Sequence, residues 1–351
     1  MDIGIDSFVS LIADPQAAHN PSPAERMANL LEEVEVADRS GLDAFGLGEH
    51  HREEFLDSAP VVILAAAAAR TRNIRLHSAV TVLGAADPVR IMQAFATLDL
   101  LSNGRAEIVV GRGSSVEAFP LFGLDLAHYD ELFIEKLHLL LQLRDDPHPH
   151  WTGQHRSALS GQGVYPRPLQ PAMPIWLGVG GTPASFARAG TLGLPLMVAI
   201  IGGEVARFRP LVDLYRESGR RAGHSPSQLR VGVHAVGFVG PTTEAAKASF
   251  FPGWRAMWGR LGPERGWAPP TRAQFDALCS LRGAYLVGDP ATVAAKLLAV
   301  DEALGGVSRI HLQMSSAASN HEAMLMSIRL LGEAVAPQVR AAQRSTAVTA
   351  H

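Results

Sequence analysis

Four short stretches of this sequence set reactive side chains among small ones. Gly48-Glu49-His50-His51 puts an imidazole beside a carboxylate, a pairing suited to proton transfer near neutral pH. Gly111-Arg112-Gly113 presents a guanidinium between glycines, the planar, permanent cation that suits a bidentate phosphate contact. Gly180-Gly181-Thr182-Pro183 reads as a glycine turn opening a helix, where unpaired N–H groups and the helix dipole favour an anion. Ser78-Ala79-Val80-Thr81 adds a small, polar strand end. Each stretch also fits a plain structural role: a rim histidine, an ion pair, an ordinary βα turn.

Other chemistries find less support. Neighbours on an extended strand face opposite ways, so His50 and His51 are not expected to share a metal ion, and HEXXH spacing is absent. His148, His150 and His155 fall in a Pro- and Gly-rich stretch whose loop composition accounts for them. No metal site is expected. There is no GxSxG, P-loop or GxGxxG fingerprint. The one cysteine, Cys279 in ALCSL, reads as a small buried hydrophobe.

The elements that carry these stretches alternate along the chain. Strand-like apolar runs lie at 3–9, 44–47, 74–83, 106–110, 175–179, 194–201, 229–239 and 307–313, with helical runs between them. Helix starts are marked by a capping residue before proline: Ser22-Pro23, Asp87-Pro88, Thr182-Pro183, Ser225-Pro226 and Asp289-Pro290. Eight apolar strands alternating with helices predict a parallel sheet closed as a (β/α)8 TIM barrel, in which function belongs at the C-terminal strand ends. All four stretches lie at such ends. Residues 145–173 and 250–284 interrupt the rhythm as insertions after strands 4 and 7. The second holds Trp254, Trp258 and Trp267 and is the best lid candidate.

Composition bounds the function. The chain has 351 residues, 47% of them hydrophobic, and 34 acids against 31 Lys and Arg give a net charge of −3. That leaves no polybasic face for nucleic acid or anionic lipid. A lone cysteine cannot form an internal disulfide. The start, MDIGIDSFVSLIADP, lacks a basic n-region, and VVILAAAAA at 61–69 is far shorter than the ~18–20 residues of a membrane span. A soluble, cytoplasmic protein is expected.

GLDAFGLGEHH, HSAVTVLG, DPVRIMQAFATLDLLSNGRAEIVVGRG and PIWLGVGGTPASFARAGTLGLPLM, in that order, resemble the bacterial luciferase-like family of flavin-dependent monooxygenases. GDPATVAAKL resembles the family's C-terminal portion, and the resemblance runs from about residue 2 to 336. It implies one luciferase-like barrel domain over 1–336 and a poorly ordered tail over 337–351. His50 matches the family's active-site histidine, a base or a stabiliser of the oxygenated flavin. Ala79 and Val80 fall where the family has a non-proline cis peptide beneath the flavin ring. Gly111 and Arg112 match the strand end near ring and phosphate, and Gly180, Gly181 and Thr182 match the phosphate loop. The 250–284 segment corresponds to the mobile lid.

The sequence also departs from the luciferases themselves. Gly111 stands where they carry a cysteine, Gly180-Gly181 where they carry Glu-Ser, and Asp130 near a second basic phosphate contact. The resemblance is therefore to the non-luminescent branch. It implies a monooxygenase using FMN, reduced in trans by an NAD(P)H:flavin reductase, with O2 and a small organic substrate. The alternatives are hydride transfer with the deazaflavin F420 and flavin binding without catalysis. A homodimer is expected.

Overall fold

In each of eight strands alternate residues are aliphatic or aromatic and turn outward beneath helices, leaving the residues between them to face inward. Ile3 and Ile5, Ile108 and Val110, Leu196, Val198 and Ile200, and Ile310 and Leu312 are all buried in this outer core. The computed structural model describes residues 1–351 apart from 15, 16, 18, 114, 318, 319, 350 and 351.

The barrel strands are β1 (Asp2–Ser7), β2 (Ala44–Leu47), β3 (Arg75–Ser78), β4 (Ala106–Gly111), β5 (Ile175–Val179), β6 (Leu196–Ile200), β7 (Val231–Val239) and β8 (Arg309–Gln313). All pair in parallel, each with the next, and β8 pairs with β1 to close the ring. This is the predicted (β/α)8 barrel. A short run, Thr81–Val82, continues β3 along β4.

Capping explains the helix starts. Ser22 closes a capping box with Glu25, and the Asp87 and Asp289 carboxylates accept from first-turn N–H groups. Ser225-Pro226, expected to open a helix, opens only a turn, with Ser225 bonded to the Gln228 side chain. Strand β7 begins at Val231 and leaves no length for a helix.

The two irregular segments differ. Between β4 and β5, His150–Trp151 pairs with Leu159–Ser160 in a small hairpin. Between β7 and β8, a helix runs over Thr243–Leu261 with Pro252 inside it, followed by the helix Arg272–Leu278. The strand Leu286–Gly288 then pairs with the end of β7. The Phe-Pro-Gly-Trp run at 251–254 masks that first helix in the sequence, since proline and glycine are read as breakers. The tail expected to be poorly ordered from residue 337 is instead helical over Ala336–Thr349. Val339 is fully buried there, and Arg340 Nη2 reaches Asp43 Oδ2 at 2.8 Å. Residues 350 and 351 lie outside the described residues.

The barrel's interior is charged at its lower end. Arg309 Nη1 and Nη2 meet Glu107 Oε2 and Oε1 at 2.5 and 3.1 Å, and the guanidinium lies 4.6 Å from the centre of the Trp176 ring. Both partners are buried, so the pair and its ring plug the bottom and confine any ligand to the top.

Candidate active site

A cavity of about 480 Å3 opens at the C-terminal ends of the strands. His50, Ala79, Val80, Gly111, Arg112, Gly180, Gly181 and Thr182 all line it. The structure therefore brings together every site residue named from the sequence.

His50 follows β2 in the turn after Gly48. Its backbone N–H donates to Asp57 Oδ1 at 3.0 Å and its Nδ1 meets Asp57 Oδ2 at 2.9 Å. Asp57 is fully buried, and burial pushes its carboxyl above the usual aspartate value against the opposing pull of the His50 bonds. With Nδ1–H given to that carboxylate, Nε2 carries the free lone pair. Phe8 and Phe55 flank the imidazole at centroid distances of 4.8 and 4.5 Å and fix its plane. His51 turns elsewhere: its Nε2 meets Glu49 Oε1 at 3.2 Å, while Glu49 Oε2 accepts from the N–H of Val82. That pair braces the chain just past Ala79-Val80.

The peptide between Ala79 and Val80 is cis. The Val80 side chain packs so closely on β4 that a Cβ added to Gly111 would stand 2.6 Å from it. Glycine at 111 thus makes room for Val80 on the cavity wall.

At the other end, Arg112 Nη1 bonds Asp130 Oδ1 at 2.6 Å, and Nη2 lies 3.4 Å from Thr182 Oγ1. Beyond β5, no atom lies within 4 Å of where a Cβ on Gly180 or Gly181 would stand. Thr182 is the N-cap of the helix Pro183–Thr191, yet its hydroxyl makes no capping bond. Pro183 has no N–H and the Ser185 N–H donates to the Thr182 carbonyl at 2.9 Å, so the donors beside the open space are those of residues 180–182 and of Ala184.

The cavity floor is a buried polar cluster absent from the sequence reading. Asp6 accepts from His234 Nδ1 through Oδ2 and from His311 Nδ1 through Oδ1, the latter at 2.7 Å. His77 Nε2 lies 3.2 Å from His311 Nδ1, and His77 Nδ1 donates to the Ser78 carbonyl. Burial works against the Asp6 charge, but His311 and His234 hold the carboxyl well below the usual range. Burial and the neighbouring His311 push His77 down to about 4, so its imidazole stays neutral. The space for the cluster comes from Gly46, where a Cβ would stand 2.5 Å from the His77 ring. One signal marks His234 in the sequence, a lone ionisable side chain in the otherwise apolar strand VGVHAVGFV, whereas Asp6, His77 and His311 share their strands with Asp2, Arg75 and Arg309. Asp57 leaves no such signal, because it reaches His50 across an irregular turn.

The roof comes from the segment between β7 and β8. Trp254, Met257, Trp258, Leu261 and Trp267 line the cavity, with the Trp258 and Trp267 rings 4.5 Å apart and tilted by 35°, and Trp254 Nε1 donating to Tyr285 Oη. Arg52 fastens this roof: Nη1 bonds Glu117 at 2.6 Å and Glu264 at 2.7 Å, and Nε bonds Glu54 at 3.0 Å. Cys279 is buried away from the cavity, and burial pushes its thiol up to about 12.

The profile of the luciferase-like monooxygenase family matches residues 7–306. A 4-hydroxyprotoasukamycin monooxygenase of Streptomyces nodosus subsp. asukaensis is 27% identical over 88% of this chain and 85% of its own. An F420-dependent glucose-6-phosphate dehydrogenase of Amycolatopsis mediterranei is 30% identical over 47% of this chain and 51% of its own. Against y4wF of Sinorhizobium fredii the identity is 30%, over 64% of this chain and 65% of that protein, so the chain spans just under two thirds of that relative. Among solved structures, the monooxygenase RslO1 of Streptomyces bottropensis superposes with a TM-score of 0.82 at 25% identity, over 96% of this chain and 99% of its own. The oxygenating constituent of 3,6-diketocamphane monooxygenase of Pseudomonas putida, solved with FMN, shares the fold with a TM-score of 0.77 at 20% identity, over 97% and 99%.

Proposed function

The chain belongs to the luciferase-like monooxygenase family, and from that premise we propose that it is an FMN-dependent monooxygenase acting on a small organic substrate with O2. The observation that carries this reading is the convergence of a phosphate-type cradle, a ring wall and a carboxylate-oriented histidine on one cavity. The residues fit FMN. The hollow turn at Gly180 and Gly181, the uncapped helix start at Thr182 and the Arg112 guanidinium suit its phosphate. Val80, beside Gly111, suits the flat ring. Reduced FMN, when bound, supplies the electrons with which O2 delivers one oxygen atom to the substrate and releases the other as water.

The chain's own residues do the rest. His50 holds or moves a proton at Nε2 while Asp57 keeps Nδ1 protonated and the ring aimed. The tryptophan roof excludes water, which strengthens each polar contact beneath it. The cavity's arginines are engaged, Arg52 by three carboxylates, Arg112 by Asp130 and Arg265 over the Trp267 ring, so a neutral substrate with an apolar body suits it best. The sequence carries no nicotinamide fingerprint, which favours reduced FMN arriving from an NAD(P)H:flavin reductase. Exposed Val62, Leu100 and Leu101, on the helices Pro60–Arg70 and Pro88–Leu101, favour a homodimer. No helix among the described residues is long and apolar enough to cross a membrane.

The F420-dependent relative supports a second reading, hydride transfer with the deazaflavin. Parallel anaerobic titrations with reduced FMN and reduced F420 separate the two. Tighter binding of FMN is expected. Tighter binding of F420 would shift the assignment, and binding of neither would end both.

A further inference from the structure

We propose that Asp130 sets the affinity of the phosphate cradle by competing with the cofactor phosphate for Arg112, so that FMN is held loosely enough to exchange. The proposal rests on the FMN reading above. Three observations carry it.

The first is that the guanidinium is already engaged. Arg112 Nη1 bonds Asp130 Oδ1 at 2.6 Å, and its other terminal nitrogen faces Thr182 Oγ1, at the helix start where a phosphate would sit. A bidentate phosphate contact needs both nitrogens, so the carboxylate must be displaced or must share the fork. The second is that the helix carrying Asp130 is tied beside Arg112. Asp130 sits in the first turn of the helix Tyr129–Asp145, where the dipole favours a carboxylate. Tyr129 Oη donates to the carbonyls of Arg112 and Gly113 and ties that turn to the end of β4. The third is that no other arginine on the wall compensates. Arg52 is held by Glu54, Glu117 and Glu264. Arg265 lies over the Trp267 ring.

A phosphate monoester carries a charge of about −1.5 to −2 near pH 7. Entering here, it meets one cation and one anion, and its net attraction comes mainly from the neutral N–H groups of Gly180, Gly181 and Thr182. Such a cradle separates FMN from riboflavin only weakly. A cofactor that arrives reduced from another protein and leaves oxidised needs that looseness.

The test uses the full chain and oxidised flavins, which report binding without turnover. Affinities for FMN and riboflavin are measured by fluorescence quenching for the wild type and for Asp130→Asn and Asp130→Ser. FMN should tighten about tenfold in both variants while riboflavin is unchanged. Arg112→Gln in the Asp130→Asn background should abolish the gain. An FMN-to-riboflavin ratio equal in wild type and both variants overturns the proposal. If neither flavin binds any of the proteins, the FMN reading has failed, and inorganic phosphate becomes the probe. A larger thermal shift with phosphate in Asp130→Asn then supports the competition, and an equal shift overturns it.

Discussion

The floor of the barrel and its rim are both rich in charge, yet they hold it differently. On the floor, Glu107 and Arg309 are buried and bonded twice, and Asp6 is shared by two histidines. At the rim, Arg112 is 29% exposed and Asp130 67%, and a hollow turn waits beside them. The lesson concerns solvent. A charge removed from water must be fully partnered or it destabilises the fold, whereas a charge at the water's edge stays exchangeable and can serve a ligand.

That contrast predicts unequal costs. Glu107→Ala strands Arg309 in the interior and should cost about 3–5 kcal/mol of stability, against about 1 kcal/mol or less for Arg112→Gln, both read from urea unfolding. Similar losses would erase the distinction. Between floor and rim stands His50. His50→Ala should lower turnover about 10²–10⁴-fold with unfolding midpoint and flavin affinity nearly unchanged. A loss of flavin binding instead would make His50 a cofactor contact.

Acidity probes the same divide. Burial opposes the Glu107 charge, but Arg309 holds its carboxyl down at about 2, below the 4.5 of an unpaired glutamate. The pair's contribution is therefore complete above about pH 4.5 and is lost as the pH falls toward 2. The gap in urea midpoint between wild type and Glu107→Gln should narrow below that pH, and a gap that stays constant down to about pH 3 would contradict the assignment. The roof should respond to a rim charge. Glu264→Gln loosens the Arg52 clamp and should raise acrylamide quenching of the tryptophans with little change in melting temperature. The smallest effect concerns Cys279, whose buried thiol, pushed up to about 12, should resist alkylation at pH 8 until the chain unfolds.

Much of this was legible beforehand, for local reasons. The strand Ile175–Val179 and the helix Pro183–Thr191 match their predicted ranges because Val-Gly-Gly-Thr-Pro writes a strand end, a turn and a helix start within a few residues. The helix over Thr243–Leu261 was hidden because Pro252 obeys packing rather than propensity. Asp6 and His234 are not read as site groups because their meaning lies in what they touch across the barrel, and Asp57 is not because an irregular turn brings it back to His50.

The sequence by itself determined the barrel and the eight residues around its mouth. Period-two apolar strands and capped helices are local patterns, and glycine turns stand beside the reactive side chains in the chain. Only the tertiary structure decided the partners: Asp57 on His50, Asp130 on Arg112, and a floor of one carboxylate and three histidines. The physical reason is that partners are set by irregular turns and by ring closure, which leave no periodic pattern in the chain. Ring closure sets Asp6 against His234 and His311, more than two hundred residues away, and no spacing rule reaches that far.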